Sequence, residues 1–340
     1  MAVGGVSTVT CFLYMNLNGR GEVTYMEQII EIIKNTTSAV ILPHISADAD
    51  AIASCQAMRC ALMSMGIPSV ICVEEDVERR LDFIADGVVV YGDELPEYDT
   101  CIVLDCGDMG RVGKRRELVE SANKVINIDH HKTNDGFGDA SLVVPDASAT
   151  GEVLYVLFKA MDIEFNRDIA RYLYTAICSD TGGFAFSNVS SETFIIAADL
   201  ISYDINHAEI SRLLFDCVDI DEELLKAELV KRIKSYYDGR VRMVSVTNEF
   251  AKKFDLTPKC IEGTVDIPRR IRGTQIAVSL KEIPEGIRVS LRSNGDADVS
   301  RIALQFGGGG HTKAAGCTVG TDDIRKAEEL IAQACGGEIQ

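Results

Sequence analysis

In the first half of the chain, three short apolar runs each stop at ionisable side chains: "AVILP" at His44, "TCIVL" at Asp105, and "KVINI" at Asp129, His130 and His131. Their hydrophobicity is continuous rather than alternating, the pattern of strands buried on both faces of a parallel sheet. Parallel neighbours cannot be joined by hairpins, so the intervening chain must cross over, usually as helix. Helix candidates such as "DAIASCQAMRCALMSMG", closed by Gly66, lie between the runs. With "SVICV" and "GVVVY" as further strands, the stretch from Met26 to about Asp216 alternates strand and helix, an α/β layout. In an open sheet of this kind the carboxyl ends of neighbouring strands share one crevice. Side chains far apart in sequence converge there.

Helical stretches follow Thr150 ("TGEVLYVLFKAM", "RDIARYLYTAICSD", "SETFIIAADLIS"), and a charged helix, "DEELLKAELVKRIKSYY", leads into a second part. Beyond it "GRVRMVSVT", "TQIAVSLKEI" and "GIRVSLRS" alternate with period two and predict another sheet, with "IPEG" as a turn and a terminal helix near "DDIRKAEELIAQA". The expected organisation is a first domain over 26–216, a connecting helix over 217–237 and a smaller α+β domain over 238–338. Residues 1–25 show no regular period and are expected to form a disordered extension. They have no basic n-region and no A-x-A-like site, so they do not read as a signal peptide.

A length of 340 residues agrees with two domains. No apolar run approaches the roughly 18 residues needed to cross a bilayer, so no membrane partner is expected. The eleven cysteines form no CxxC pair and mostly sit inside apolar runs. They are expected as buried free thiols in a reducing cytoplasm rather than zinc ligands or disulfides. A net charge of −18 argues against coating long nucleic acid through phosphate contacts. The charge is uneven: 17 Lys/Arg against 10 Asp/Glu between Lys226 and Lys313 give that stretch +7 and leave −25 for the rest. An acidic first part and a mildly basic second part suit a metal-loaded site and an anion-binding surface.

Four clusters carry chemistry. They are "PHISADADAIAS" (His44, Asp48, Asp50), "VLDCGD" (Asp105, Asp108), "NIDHH" (Asp129, His130, His131) and "ICSDTGGF" (Asp180). Taken singly, each has a plain structural use: Asp48 or Asp50 as a helix N-cap, Asp105 as a solvated strand end, Asp180 as a turn former. The histidine pair is harder to absorb, because two imidazoles and a carboxylate buried at a strand end need partners. Three of the chain's five histidines fall at these element ends. Carboxylates in excess of imidazoles favour hard divalent ions, Mn²⁺ or Mg²⁺. Two such ions about 3.5–4 Å apart suit in-line attack on a phosphorus ester. One histidine of the pair would then hold metal and its neighbour face the substrate.

The HxxxDxD of His44, Asp48 and Asp50, the later Asp105, the "DHH" of 129–131 and Asp180 resemble, in order, the four motifs of the DHH phosphoesterase superfamily. The run "VSLRSNGDADVSRIALQFGGGGHTKAAG" resembles the DHH-associated C-terminal domain with its GGGGH loop. Together, over about residues 26–338, they resemble the nanoRNase/pAp-phosphatase (NrnA-like) family. The resemblance implies an N-terminal α/β DHH domain with a parallel β-sheet flanked by helices, and a smaller C-terminal α+β domain. It implies two Mn²⁺ ions, with Mg²⁺ as the alternative. His44, Asp48 and Asp105 would hold one ion, and Asp50, Asp105, His130 and Asp180 the other, with Asp105 bridging. Asp129 would orient a ligand imidazole, and His131 would contact the scissile phosphate. Where relatives often carry a glycine beside the first-motif aspartates, this chain has Ala49, which should not disturb ligation.

In the second part, consecutive glycines let backbone N–H groups approach an anion. Gly307, Gly308, Gly309 and Gly310 are therefore expected as an anion cradle, with Arg292, Ser293 and His311 binding a nucleotide. Arg269, Arg270 and Arg272 read equally well as a solvated basic loop.

The expected activity is removal of nucleoside monophosphates from very short RNA and of the 3′-phosphate from pAp. Alternatives are a phosphodiesterase of linear or cyclic dinucleotides such as pApA and c-di-AMP, a RecJ-like single-strand exonuclease, or a family II-like pyrophosphatase. A nucleotide-sensing module without catalysis is the alternative from another class. Substrate partners are short oligonucleotides, pAp or dinucleotides, and a homodimer stays open as the assembly.

Overall fold

The computed structural model describes residues 22–254, 256 and 263–339. It consists of two compact units, Met1–Cys217 and Val218–Gln340.

The first unit opens with α1 (Glu22–Asn35), whose Met26, Ile29 and Ile33 are fully buried at helical spacing. Of the extension expected over 1–25, positions 1–21 lie outside the described residues. Positions 22–25 are helical instead, because propagation past an established apolar stripe gains a hydrogen bond per residue without new nucleation.

Six strands follow: β1 (Ala39–Leu42), β2 (Ser69–Val73), β3 (Val88–Val90), β4 (Thr100–Leu104), β5 (Lys124–Asp129) and β6 (Ala140–Val143). They form an all-parallel sheet in the order β3-β2-β1-β4-β5-β6. The reason for the continuous apolar runs is visible along β1. Ala39 and Ile41 enter the core packed with α2 (Ala49–Ser64), while Val40 and Leu42 join Cys72, Cys101, Val103 and Cys106 on the opposite face. Burying each such aliphatic side chain is worth about 1.5–3 kcal/mol. Nine free cysteines are described, seven of them buried. β6 carries no long apolar run, and the sequence reading missed it. After β1 the sheet grows one way through β2 and β3, and after β4 the other way. The switch point thus lies between β1 and β4, where a ligand crevice is expected.

Four helices complete the unit: α4 (Thr150–Ala160), α5 (Arg167–Asp180), α6 (Ser191–Ile201) and α7 (His207–Phe215), with the short α3 (Arg116–Glu120) before β5. α4 and α5 touch at Gly151, where a Cβ would stand 2.5 Å from that of Ala176.

The second unit contains α8 (Ile220–Lys231), β7 (Lys234–Tyr236), β8 (Val241–Val246), α9 (Asn248–Lys253), α10 (Asp266–Arg269), β9 (Ile276–Ile283), β10 (Gly286–Ser293), α11 (Val299–Gln305), β11 (Gly309–His311), β12 (Ala314–Val319) and α12 (Ile324–Gly336). Its sheet runs β11-β12-β10-β9-β8-β7, antiparallel except between β8 and β9. The "IPEG" turn joins β9 to β10 as expected, with Ile283 paired to Gly286. The connecting helix expected over 217–237 is shorter. It stops at Lys231, and Lys234–Tyr236 pairs with β8 instead, since Tyr236 packs on the core and Tyr237, Asp238 and Gly239 turn the chain at positive φ.

No helix among the described residues is long and apolar enough to cross a membrane.

Candidate active site

The chemistry-bearing residues sit where the sheet delivers them. His44 follows β1, Asp105 follows β4, Asp129 ends β5 with His130 and His131 next, and Asp180 ends α5. Asp48 is the N-cap of α2, its side chain accepting from the Ala51 N–H at 3.1 Å, and Asp50 lies in that helix's first turn. The capping use expected of Asp48 alone is real, and it coexists with the site. Asp105 takes φ +56, a conformation Asp tolerates better than most residues.

Each of the first two histidines has one ring nitrogen occupied by a backbone carbonyl. His44 Nδ1 lies 2.6 Å from Ile45 O, and His130 Nδ1 lies 3.2 Å from Ala147 O. A carbonyl only accepts, so Nδ1 carries the proton in both and Nε2 presents a lone pair. His44 Nε2 faces Asp48 Oδ2 at 3.7 Å and Asp105 Oδ2 at 3.6 Å. His130 Nε2 faces Asp180 Oδ2 at 3.4 Å, Asp105 Oδ1 at 3.6 Å and Asp50 Oδ2 at 4.0 Å. Most of these separations are too long for good hydrogen bonds, and they suit two donors either side of one ion. Three donor groups within 4.8 Å result: His44, Asp48 and Asp105; Asp50, His130 and Asp180; and Asp105, His130 and His131. Asp105 turns one oxygen toward each histidine.

The third group overlaps the second, and His131 is committed elsewhere. Its Nδ1 lies 2.7 Å from Asp129 Oδ1 against 3.7 Å from Asp105 Oδ1. The fully buried Asp129 also accepts from the His130 N–H at 2.8 Å and from Asn134 Nδ2 at 2.7 Å. The imidazole that Asp129 orients is therefore that of His131. His130's ring leans on the Ala147 carbonyl instead. Burial alone would raise the Asp129 carboxyl, but the hydrogen bonds from His131 and Asn134 outweigh it and hold it below the ordinary value. The bond to Asp129 in turn raises His131 to about 9.

The other carboxyls go the opposite way. Burial, reinforced by Asp105, pushes Asp50 well above the usual range, and burial with the Asp48 charge pushes Asp105 up to about 8. Burial likewise raises Asp180. Carboxyls crowded in this way ionise together only where cations offset their charge. The donor set thus fits hard divalent ions.

Sequence reasoning missed the residues that hold these ligands. The Thr150 and Gly151 N–H groups donate to Asp50 Oδ2 at 2.8 Å and Oδ1 at 3.2 Å, and Ser54 Oγ donates to Asp50 Oδ1 at 2.9 Å. Thr150 Oγ1 donates to Asp105 Oδ1 at 2.8 Å. The available signal was a Thr-Gly pair opening a helix with no capping side chain before it.

In the second unit, Arg292 and His311 are both registered on Ala314 and so flank it on one face of the sheet. His311 is exposed and Arg292 half-buried. The glycine cradle takes a different form from the one expected. Gly307 and Gly308 donate their N–H groups to Leu304 O at 3.1 Å and Ala303 O at 3.0 Å, closing α11, and Gly309–His311 forms the edge strand. Close approach explains glycine at 310, where a Cβ would stand 2.5 Å from Ala314 O. Ser293 Oγ is engaged by Gly295 O at 3.3 Å.

A family model described as "DHH family, N-terminal domain" matches residues 38–177, and one described as "DHHA1 domain" matches 241–337. The chain is 30% identical over 319 residues to the bifunctional oligoribonuclease and PAP phosphatase NrnA of Thermus thermophilus, covering 92% of this chain and 94% of that protein. It is 28% identical over 225 residues to the cyclic-di-AMP phosphodiesterase PdeA of Listeria monocytogenes, covering 64% of this chain but 33% of that protein. The crystal structure of an exopolyphosphatase-related protein from Bacteroides fragilis is similar with a TM-score of 0.78 at 26% identity, over 92% of this chain and 96% of that one.

Proposed function

The chain belongs to the DHH family and carries the DHHA1 domain after it, and from that membership we propose that it is a divalent-metal phosphoesterase. It degrades very short oligoribonucleotides to mononucleotides and dephosphorylates pAp to AMP. The observation that carries this is the pair of donor groups His44–Asp48–Asp105 and Asp50–His130–Asp180 at the switch point of the parallel sheet, with Asp105 Oδ1 3.6 Å from His130 Nε2 between them. The likeness to NrnA over nearly the whole of both chains supports the substrate class.

His44, Asp48 and Asp105 hold one ion and Asp50, Asp105, His130 and Asp180 the other, with Mn²⁺ the expected metal and Mg²⁺ the alternative. When bound, two such ions supply positive charge and polarisation for a phosphoryl group. The neutral tautomers of His44 and His130, fixed by backbone carbonyls, leave Nε2 free to ligate. His131, anchored through Nδ1 by Asp129, offers its other ring nitrogen as a donor to the phosphate oxygens where charge develops. Arg292 and His311 bind the terminal nucleotide, and the glycines let it approach the strand edge. The net charge of −18 repels long strands. Activity should thus be highest from dinucleotides to about pentanucleotides and fall steeply beyond, on this electrostatic argument. We assign the enzyme to the cytoplasm, where the buried thiols stay reduced, and leave a homodimer open as its assembly.

The likeness to PdeA favours cyclic dinucleotides as a second substrate class. Initial rates on pAp, a diribonucleotide, c-di-AMP and a single strand of about 24 nucleotides, in Mn²⁺ at fixed salt, test both readings. Turnover of c-di-AMP alone would transfer the assignment to the second. Equal kcat/KM on the dinucleotide and the long strand would point to a RecJ-like exonuclease.

A further inference from the structure

Thr150 is fully buried at the first position of α4. No helical turn precedes it, so its hydroxyl cannot bond back to a carbonyl one turn earlier as that of Thr175 does to Arg171 O at 2.8 Å. Thr150 Oγ1 instead reaches Asp105 Oδ1 at 2.8 Å, and its own N–H reaches Asp50 Oδ2 at 2.8 Å. The residue before it, Ala149, has no side chain with which to cap α4. Asp50 receives the helix's first two N–H groups in its place. One residue thus grips a carboxylate of the second donor group and the Asp105 carboxylate, whose Oδ1 also faces His130 of that group.

We propose that Thr150 is the positioning residue that keeps the Asp105 carboxylate divided between the two ions. This rests on the two-ion reading above. The hydroxyl fixes Oδ1 toward His130 Nε2, leaving Oδ2 toward His44 Nε2. Without it the carboxylate is free to turn about its own axis, and such a turn moves Oδ1 and Oδ2 together. Each ion then loses its share of Asp105. Losing an outer hydrogen bond of this kind costs about 10–100-fold in metal affinity. The cost falls on both ions and on their coupling.

The test is Mn²⁺ titration of the substrate-free protein, by calorimetry and electron paramagnetic resonance, for wild type, Thr150→Val and Thr150→Ser. Val keeps the shape and removes the donor, while Ser keeps the donor. Wild type should bind two ions with the spectrum of a coupled pair. Thr150→Val should bind both ions about 10–100-fold more weakly and lose the spectrum of the coupled pair. Thr150→Ser should restore both constants and the coupling. Should Thr150→Val not fold, Thr150→Ala, which also removes the donor, is titrated in its place and read in the same way. Two ions bound with wild-type constants by the variant lacking the hydroxyl would overturn the inference and leave the two-ion reading standing. Fewer than two ions in wild type would overturn both.

Discussion

Replacing Asp129 by Asn removes one charge and one acceptor while keeping the shape, and the hydrogen bonds around it say what must follow. Asp129 Oδ1 accepts from the His130 N–H and His131 Nδ1, and Oδ2 accepts from Asn134 Nδ2. An amide at 129 can accept on one side only. With its oxygen toward the histidines, its NH₂ opposes Asn134 Nδ2. Asn134 cannot turn to suit, because its Nδ2 also serves Cys106 O and Asn127 Oδ1 and its Oδ1 accepts from the Gly136 N–H. With the amide reversed, the buried His130 N–H loses its acceptor and His131 must change tautomer. Either arrangement leaves a buried polar group unsatisfied, worth about 1–3 kcal/mol. At about 2–4 °C per kcal/mol for a unit of this size, melting should fall by about 2–12 °C. The ions should remain, since His44 and His130 are oriented by Ile45 O and Ala147 O instead. The rate should drop by about 10²–10³-fold, the scale of one misplaced charge-stabilising donor. Thermal melts, metal content by mass spectrometry and kcat on pAp measure the three quantities side by side. Wild-type kcat in a protein with lowered melting would refute a role for the Asp129–His131 pair. Loss of an ion would refute the separation of that pair from the metal ligands.

The paired histidines should part company: His130→Ala loses bound metal and turnover together, whereas His131→Ala retains most metal and loses about 10²–10³-fold in rate; equal metal loss would show the roles wrongly divided. Asp105→Asn should abolish turnover with the fold intact, because both donor groups draw on that carboxylate; near-wild-type kcat with unchanged circular dichroism would contradict this. Burial and neighbouring aspartates raise Asp50, Asp105 and Asp180, Asp105 to about 8. The folded metal-free protein therefore holds protons that the unfolded chain has released, and its stability declines as pH rises from about 4 toward 8. The melting-temperature gap between metal-loaded and chelated protein should widen between pH 5.5 and 8, and a gap that is flat with pH would count against the buried cluster. His311→Ala should mainly raise KM on short substrates, and an equal fall in kcat would place His311 in the chemistry.

His44, Asp105, Asp129, His130 and His131 were readable from sequence because they end or follow runs whose burial on both sheet faces is itself readable. A polar residue that ends such a strand has nowhere to go but the crevice. The same logic could not reach Thr150 or Asn134, which act through hydrogen bonds set by packing rather than by residue type. Nor could it divide Asp129 between His130 and His131, since that depends on where the Ala147 carbonyl lies. β6 and β7 escaped because short edge strands need only a few apolar positions, and "KSY" continues a helical pattern as plausibly as it starts a strand. The glycine run was seen, but not which of its backbone groups the fold engages. Which N–H groups of Gly307–Gly310 remain available depends on how α11 closes.

The hydrogen bonds from Thr150 and Gly151 to Asp50 bridge sequence separations of 100 and 101 residues. A site stitched together across such spans cannot assemble on a nascent or collapsed chain. Its contact order is high, and the loop-closure entropy must be met before a single ion finds its full set of donors. Binding energy that arrives only after the sheet and α4 have docked leaves the refolding rate nearly unchanged and slows unfolding instead. The metal pair would then act as a latch on a completed unit, lengthening the lifetime of the folded enzyme without helping it to form.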